Sequence, residues 1–206
     1  MANLIIKPTS GGLLKLQEDG GTDAISIGTD GKSTITELHS SSKFPAGHVI
    51  QTQGATGNTK YTFSSDSWAE LHTENRVTIT PTSTSNKLFF NFWAFGSGGA
   101  TDALYGFRLY DVTGSSVVEP KGVTGHSGHG QAHFVDRGSH YDANDCHVYT
   151  FGLWANIART TATVYTIQGN APGGSTAAIY FNHTNNTTAA WAGTGTTSFV
   201  VQEIQQ

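Results

Sequence analysis

Three histidines, His126, His129 and His133, lie within eight residues of one Gly-rich segment. Imidazole nitrogens, together with the carboxylates that follow in the sequence, suit zinc, nickel or iron. In a protein with threefold symmetry, even one such histidine per chain supplies a site with three nitrogens. The segment therefore has two interpretations, a metal site built from these histidines or an exposed loop that is rich in histidine.

No pattern of nucleophile and base stands out. The chain has no Gly-x-Ser-x-Gly elbow, and neighbouring residues of a strand, such as Cys146 and His147, point to opposite faces. Cys146 is therefore expected to be a small buried side chain. Acid pairs such as Glu70 with Glu74 are expected by chance among 15 acidic residues. We predict a protein that is not an enzyme and that uses no cofactor.

The tryptophans differ in their surroundings. Trp93 and Trp154 lie in aromatic runs typical of strands, which predicts that they belong to the core. Trp191 lies among small residues, where an indole on a loop provides contact area for a partner. Trp191, Asn185 and His140 are therefore the predicted surface-binding residues, on loops at 182–195 and 122–140.

Composition favours an all-β protein. Charged residues make up 13% of the chain, against roughly 25% in average proteins, and the abundant aromatic residues argue against disorder. The net charge is −4 without a basic run, which excludes an electrostatic site for nucleic acid. The first residues contain no stretch that is apolar enough for a signal peptide or a membrane span. With a single cysteine, we expect synthesis in a reducing cytoplasm and no membrane insertion.

The first forty residues repeat a short pattern. Apolar strings recur at intervals of about ten residues, with Gly-rich turns between them. One copy buries too little apolar area to offset its ordering entropy. We therefore expect residues 1–43 to form a β-repeat arm that intertwines with other copies of the chain. The arm positions predicted to pack in this assembly are Leu14, Leu16, Ile25, Ile27 and Ile35.

Residues 44–206 are expected to form one head domain. Alternating or aromatic apolar runs predict strands, and residues 67–75 allow at most a short turn of helix. The runs at 87–95 and 104–110 are predicted to form a hairpin across a Gly-rich turn. About eight or nine strands in this length fit a two-sheet sandwich of jelly-roll type.

Three parts of the chain are similar to known proteins. Residues 12–31, with the strings GLLKL and ISIGTDG, resemble the repeat that precedes the globular domain in tail-fibre and appendage proteins of tailed bacteriophages, especially marine and cyanobacterial phages. Residues 45–51 (PAGHVIQ) resemble the entry into that domain, and residues 79–88 (ITPTSTSNKL) with 200–204 (VVQEI) are similar to its paired strands. The resemblance implies a homotrimeric virion protein that is made in the host cytoplasm and docks to other virion proteins.

Two placements on the virion follow from this resemblance. In the first, the chain is a tail-fibre-like appendage whose head domain binds the host surface, with a glycan as the expected receptor. In the second, it is a trimeric capsid decoration protein whose arm grips capsid subunits and resists the pressure of packed DNA. Tail fibres usually have a longer N-terminal adaptor, so docking to a tail and docking to a capsid both remain open. An enzyme acting on glycans is a third hypothesis, because fold does not decide function.

Overall fold

The structure is a computed structural model that describes residues 14–17, 23–27, 33–35, 46–98, 104–119, 132–137, 147–171, 178–183 and 194–206. The chain divides into two compact units, Met1–Phe44 and Pro45–Gln206, which contain the predicted arm and the predicted head domain. The described residues are almost entirely strands and connections, with one 3₁₀ turn at Thr73–Asn75. The all-β prediction is confirmed. Within these ranges no helix is long and apolar enough to cross a bilayer.

The arm contains a three-stranded antiparallel sheet of β1 (Leu14–Gln17), β2 (Asp23–Ile27) and β3 (Ser33–Ile35). Leu16 lies opposite Ile25, which lies opposite Ile35, and Leu14 lies opposite Ile27. Positions two apart in a strand share a face. The register therefore places all the predicted arm positions on one face of this sheet.

The described residues of the head domain form two six-stranded sheets. We call the first the front sheet. Its centre is β8, which pairs along most of its length with β12 on one side and with β15 and then β14 on the other. Strand β15 pairs in turn with β4, and β14 pairs with β5. The strands of the front sheet are β4 (Val49–Gly57), β5 (Tyr61–Phe63), β8 (Lys87–Gly98), β12 (His147–Asn156), β14 (Ile179–Phe181) and β15 (Thr197–Ile204).

We call the second the back sheet. Strand β9 pairs with β13 on one side and with both β10 and β11 on the other, and β13 also pairs with β6 and β7. The strands of the back sheet are β6 (Ala69–Glu70), β7 (Val77–Ile79), β9 (Leu104–Asp111), β10 (Ser116–Val117), β11 (Phe134–Arg137) and β13 (Thr163–Asn170).

The predicted hairpin of residues 87–95 with 104–110 is wrong. These runs form β8 and β9, which belong to different sheets. Strand β8 continues to Gly98 because β14 pairs with its last residues. The chain therefore crosses between the sheets at the Gly-rich segment instead of turning back within one sheet.

The core lies between the two sheets. Phe90 of β8 meets Tyr165 of β13 edge to face, with ring centroids 4.9 Å apart, and Phe107 of β9 packs against Tyr149 of β12 at 5.2 Å. Phe90 and Phe107 are fully buried. Each such aromatic side chain removes roughly 150–250 Å² from water, so these contacts across the sandwich hold the sheets together.

Candidate assembly face and loop end

The outer face of the front sheet is unusually aromatic. Side chains of β8 alternate between the two faces, so Phe90 and Phe92 enter the core while Phe89 and Trp93 point outward. Strand β12 adds Trp154, whose ring lies 5.0 Å from that of Phe89. We call this outer surface of β4, β15, β8 and β12 the aromatic face.

The prediction that Trp93 and Trp154 belong to the core is wrong. Trp93 is 36% exposed, and Trp154 and Val148 are each 53% exposed. Register explains the error for Trp154, because it lies opposite Phe89, an outward position of β8. Residues 87–95 have aromatic side chains at both odd and even positions, so alternation places aromatic side chains on both faces of this strand. Alternation alone does not show which face is buried.

Charge is nearly absent from the aromatic face. Lys87 is the single charged residue among the outward positions of its four strands as the structure describes them, and its ammonium group donates to the side-chain oxygen of Asn156. The outward positions, assigned by alternation and register, are Thr52, Gly54, Thr56, Lys87, Phe89, Asn91, Trp93, Phe95, Val148, Thr150, Gly152, Trp154, Asn156, Ser198, Val200 and Gln202.

The outer face of the back sheet has the opposite character. The Arg108 guanidinium lies 4.4 Å from the Trp68 ring centroid and 5.6 Å from that of Tyr110. Arg108 Nε donates to Gln168 Oε1 at 2.8 Å, and burial lowers the pKa of this guanidinium. Arg108 is thus held on this face by two aromatic rings and one amide of its own chain.

A cleft lies at the edge of the aromatic face, where β12 ends and β8 begins. Its volume is about 500 Å³. The end row of the front sheet consists of Asn156, Lys87, Ile204 and Val49, each paired with the next. The cleft therefore lies at the end of the front sheet at which β4 begins. Its lining residues are Lys87, Glu119, Trp154, Ala155, Asn156 and Gln206.

A smaller hollow of about 240 Å³ adjoins this cleft and shares Glu119 and Asn156 with it. Arg159 and Asp111 form an ion pair at 2.7 Å within its wall. Burial, and then the negative charge of Asp111, raise the pKa of Tyr165 to about 12. The Tyr165 phenol in the wall of this hollow is therefore protonated at neutral pH.

The opposite end of the head domain is where β8, β11 and β13 end and where β9, β12 and β14 begin. We call it the loop end. Asn182, which has the positive φ that Asn tolerates, organises it: Asn182 Nδ2 donates to the carbonyl of Thr59 at 2.9 Å, and Asn182 Oδ1 accepts from Thr197 Oγ1 at 2.9 Å. Gly195 N–H donates to the Asn182 carbonyl, and the backbones of His183 and Thr194 form an isolated antiparallel β-bridge. The described ends of the predicted 182–195 loop are thus paired with each other.

His133 has a role that the sequence did not predict. Its Nδ1 accepts from Leu109 N–H at 2.9 Å, so Nε2 is the protonated nitrogen and donates to the carbonyl of Val118, also at 2.9 Å. Both ring nitrogens therefore bind main chain, which ties β9 to the segments beside it. In the described part of the chain, no group of three or more His, Cys, Asp or Glu residues could hold a metal ion.

Several predicted site residues lie outside the described residues. Of the metal trio, His126 and His129 are among them, as is Cys146. The surface-binding candidates Trp191, Asn185 and His140 also lie outside these ranges. The metal site and the binding roles of these loops therefore stay predictions.

Comparison with protein families and with curated proteins found no match to this chain.

Proposed function

We propose that this chain is the subunit of a homotrimeric virion protein of the tailed-phage appendage type, whose arm attaches to the virion and whose head domain binds a host-surface glycan. The protein is not an enzyme in this proposal. Its partners are two further copies, the virion proteins that hold the arm and the receptor. The resemblance of residues 12–31 and 45–51 to such appendages supports the proposal.

The head domain is a jelly roll in this proposal. Strand order supports it: the front sheet runs β4–β15–β8–β12, and the back sheet runs β7–β13–β9 to β10 and β11. Apart from β9 and β10, neighbouring strands in each sheet are not consecutive along the chain, and the first and last strands of the domain are adjacent. This ordering is typical of two interlocked Greek keys.

The polarity of the head domain carries the proposal. The arm is joined at residue 45, close to the start of β4, and the loop end lies at the opposite end of β8. Strand β8 has 12 residues, which corresponds to roughly 35 Å between the two ends. An attachment point at one end and long connections at the other suit a protein that is held by the virion and faces outward.

Electron microscopy of virions decorated with an antibody against the head domain tests the placement. We expect label at the tail, on fibres that project from it. Label distributed over the capsid shell would contradict the tail placement and favour the decoration protein. No label on intact virions would contradict both placements.

Binding of the full-length protein to host cells tests the receptor role. We expect saturable binding that is lost after enzymatic or chemical removal of surface polysaccharide from the cells. The Trp191→Ala variant should bind more weakly, with Trp68→Ala, at the residue before β6, as a tryptophan control. Equal binding to stripped and intact cells would contradict a glycan receptor.

A further inference from the structure

We propose that the aromatic face is the surface through which the head domains contact one another in the assembly, with a second copy of this chain as its occupant. This inference rests on the proposed homotrimer and assigns its head-to-head contact. The predicted contact between arms gives no account of the exposed tryptophans of the head domain.

The charge pattern selects a second copy as the occupant. At a threefold axis each side chain meets its own copies, so any charge near the axis faces a like charge, which is costly. The chain carries a net charge of −4, yet the aromatic face has Lys87 as its one described charge. Lys87 lies in the end row of the sheet and binds Asn156 of its own chain. The centre of the face, around Asn91, is therefore free of the repulsion that copies would otherwise meet.

The exposed side chains are of the kind that anchor interfaces. Tryptophan is enriched at the energetic centres of protein contacts, and both Trp93 and Trp154 offer a third or more of their surface to solvent. Between them lie Asn91 and, opposite it on β12, Gly152. Two indoles on either side of a strip of small side chains form a shallow groove. Side chains of a neighbouring head domain can pack into this groove.

The size of the face fits such a contact. Four strand rows about 4.8 Å apart and roughly ten residues long cover about 600 Å² before side-chain relief is added. A stable interface of standard size buries about 800 Å² per partner. Large exposed apolar areas are uncommon on proteins that stay monomeric. The area of the aromatic face is therefore comparable to the area that each partner buries in a stable interface.

The test measures the mass of the full-length protein by light scattering and the accessibility of Trp93 and Trp154 by hydroxyl-radical labelling with mass spectrometry. The variant Asn91→Glu adds one negative charge at the centre of each aromatic face. In the proposed homotrimer, three like charges would then face one another. Thr78→Glu, an exposed position on β7 of the back sheet, is the matched control. Val148→Glu at the 53% exposed edge position is a second test variant, should Asn91→Glu fail to fold.

We expect a trimer in which both indoles are labelled several-fold more slowly than in Asn91→Glu or Val148→Glu. The charged variants should also assemble at least about tenfold more weakly, while Thr78→Glu behaves like the unmodified chain. A trimer whose indoles are labelled as fast as those of the charged variants would overturn this inference and leave the arm-held homotrimer intact. A monomer at micromolar concentration would contradict the proposed homotrimer itself. Indoles that become protected only when neutral polysaccharide is added would overturn the inference in favour of a glycan-binding face.

Discussion

Asn86 donates a hydrogen bond from Nδ2 to Glu203 Oε1 at 2.7 Å, across 117 residues of sequence. The same carboxylate accepts from Thr82 N–H at 2.9 Å and from Gln51 Nε2 at 2.6 Å. Glu203 is fully buried. One acidic side chain of β15 therefore fastens β4 and the turn before β8, which joins segments 79–88 and 200–204.

Replacing Glu203 by glutamine should destabilise the head domain by about 2–4 kcal/mol at neutral pH, because the amide cannot accept from all of these donors. Burial alone would raise the pKa of Glu203, but hydrogen bonds from Asn86, Gln51 and Thr82 outweigh it and the pKa is lowered. A lowered carboxyl pKa stabilises the fold above the ordinary glutamate value of about 4.3, and this stabilisation is lost as the pH falls through the folded-state pKa.

Urea unfolding as a function of pH measures this effect. The difference in unfolding free energy between Glu203→Gln and the unmodified chain should shrink as the pH is lowered below about 4. Asp66→Asn, at an exposed position, is the control for removal of a carboxylate. A constant difference across the whole range would show that the charge of Glu203 is not responsible.

His133→Ala should destabilise the head domain by about 1–3 kcal/mol, because Leu109 N–H and the Val118 carbonyl each lose a hydrogen-bond partner. Chemical denaturation of the full-length chain measures the loss, with Thr160→Ala at an exposed position as the control. A variant as stable as the unmodified chain would contradict the structural role. Such a result would return His133 to the set of candidate metal ligands.

Gly195→Ala should disturb the base of the 182–195 connection. A Cβ added at Gly195 would lie 2.5 Å from Cβ of Phe95, so either the ring or the strand must move, at a cost of about 1–3 kcal/mol. Gly54→Ala on β4 is the control, because its nearest contact would be an ordinary 3.5 Å. Thermal unfolding compares the two variants. Equal melting temperatures would mean that Phe95 moves aside freely.

Ile25→Lys should prevent or strongly weaken assembly of the full-length chain. Ile25 is the central position of the transverse row with Leu16 and Ile35, and a lysine placed in an apolar contact loses its hydration. Ser26→Lys, the next residue and therefore on the other face of the sheet, is the matched control. Light scattering gives the mass of each. Assembly that survives Ile25→Lys but not Ser26→Lys would show that the opposite face packs.

Sequence pattern alone predicted much of the fold. The alternating or aromatic apolar runs at 147–154, 161–167 and 198–204 correspond to most of β12, β13 and β15, because alternation and β-branched or aromatic side chains are local signals. The pairing of those strands was not local. Nothing near residues 96–103 reveals that β14, more than 80 residues further on, extends β8 past the predicted turn.

The candidate site was harder to predict, for a related reason. Trp154 and Phe92 both lie in aromatic strands, and only the register between β8 and β12 separates the exposed indole from the buried ring. Glu203 is one of 15 acidic residues, and its partners come from two other parts of the chain. Alternation along β15 does indicate an inward position for it. It does not indicate that hydrogen-bond donors from Gln51, Thr82 and Asn86 surround that position.

The position of β15 between β4 and β8 has a consequence for how the protein is made. Gln51 and Glu203 are 152 residues apart, so β4 has no neighbour on its β15 side until nearly the whole head domain has left the ribosome. Contacts this distant in sequence close slowly, typically over milliseconds to seconds. During that interval the unpaired edges of β4 and β8 are exposed to other nascent chains. The yield of native protein in the cell that makes it should therefore depend on the rate of chain completion and on chaperones that shield those edges.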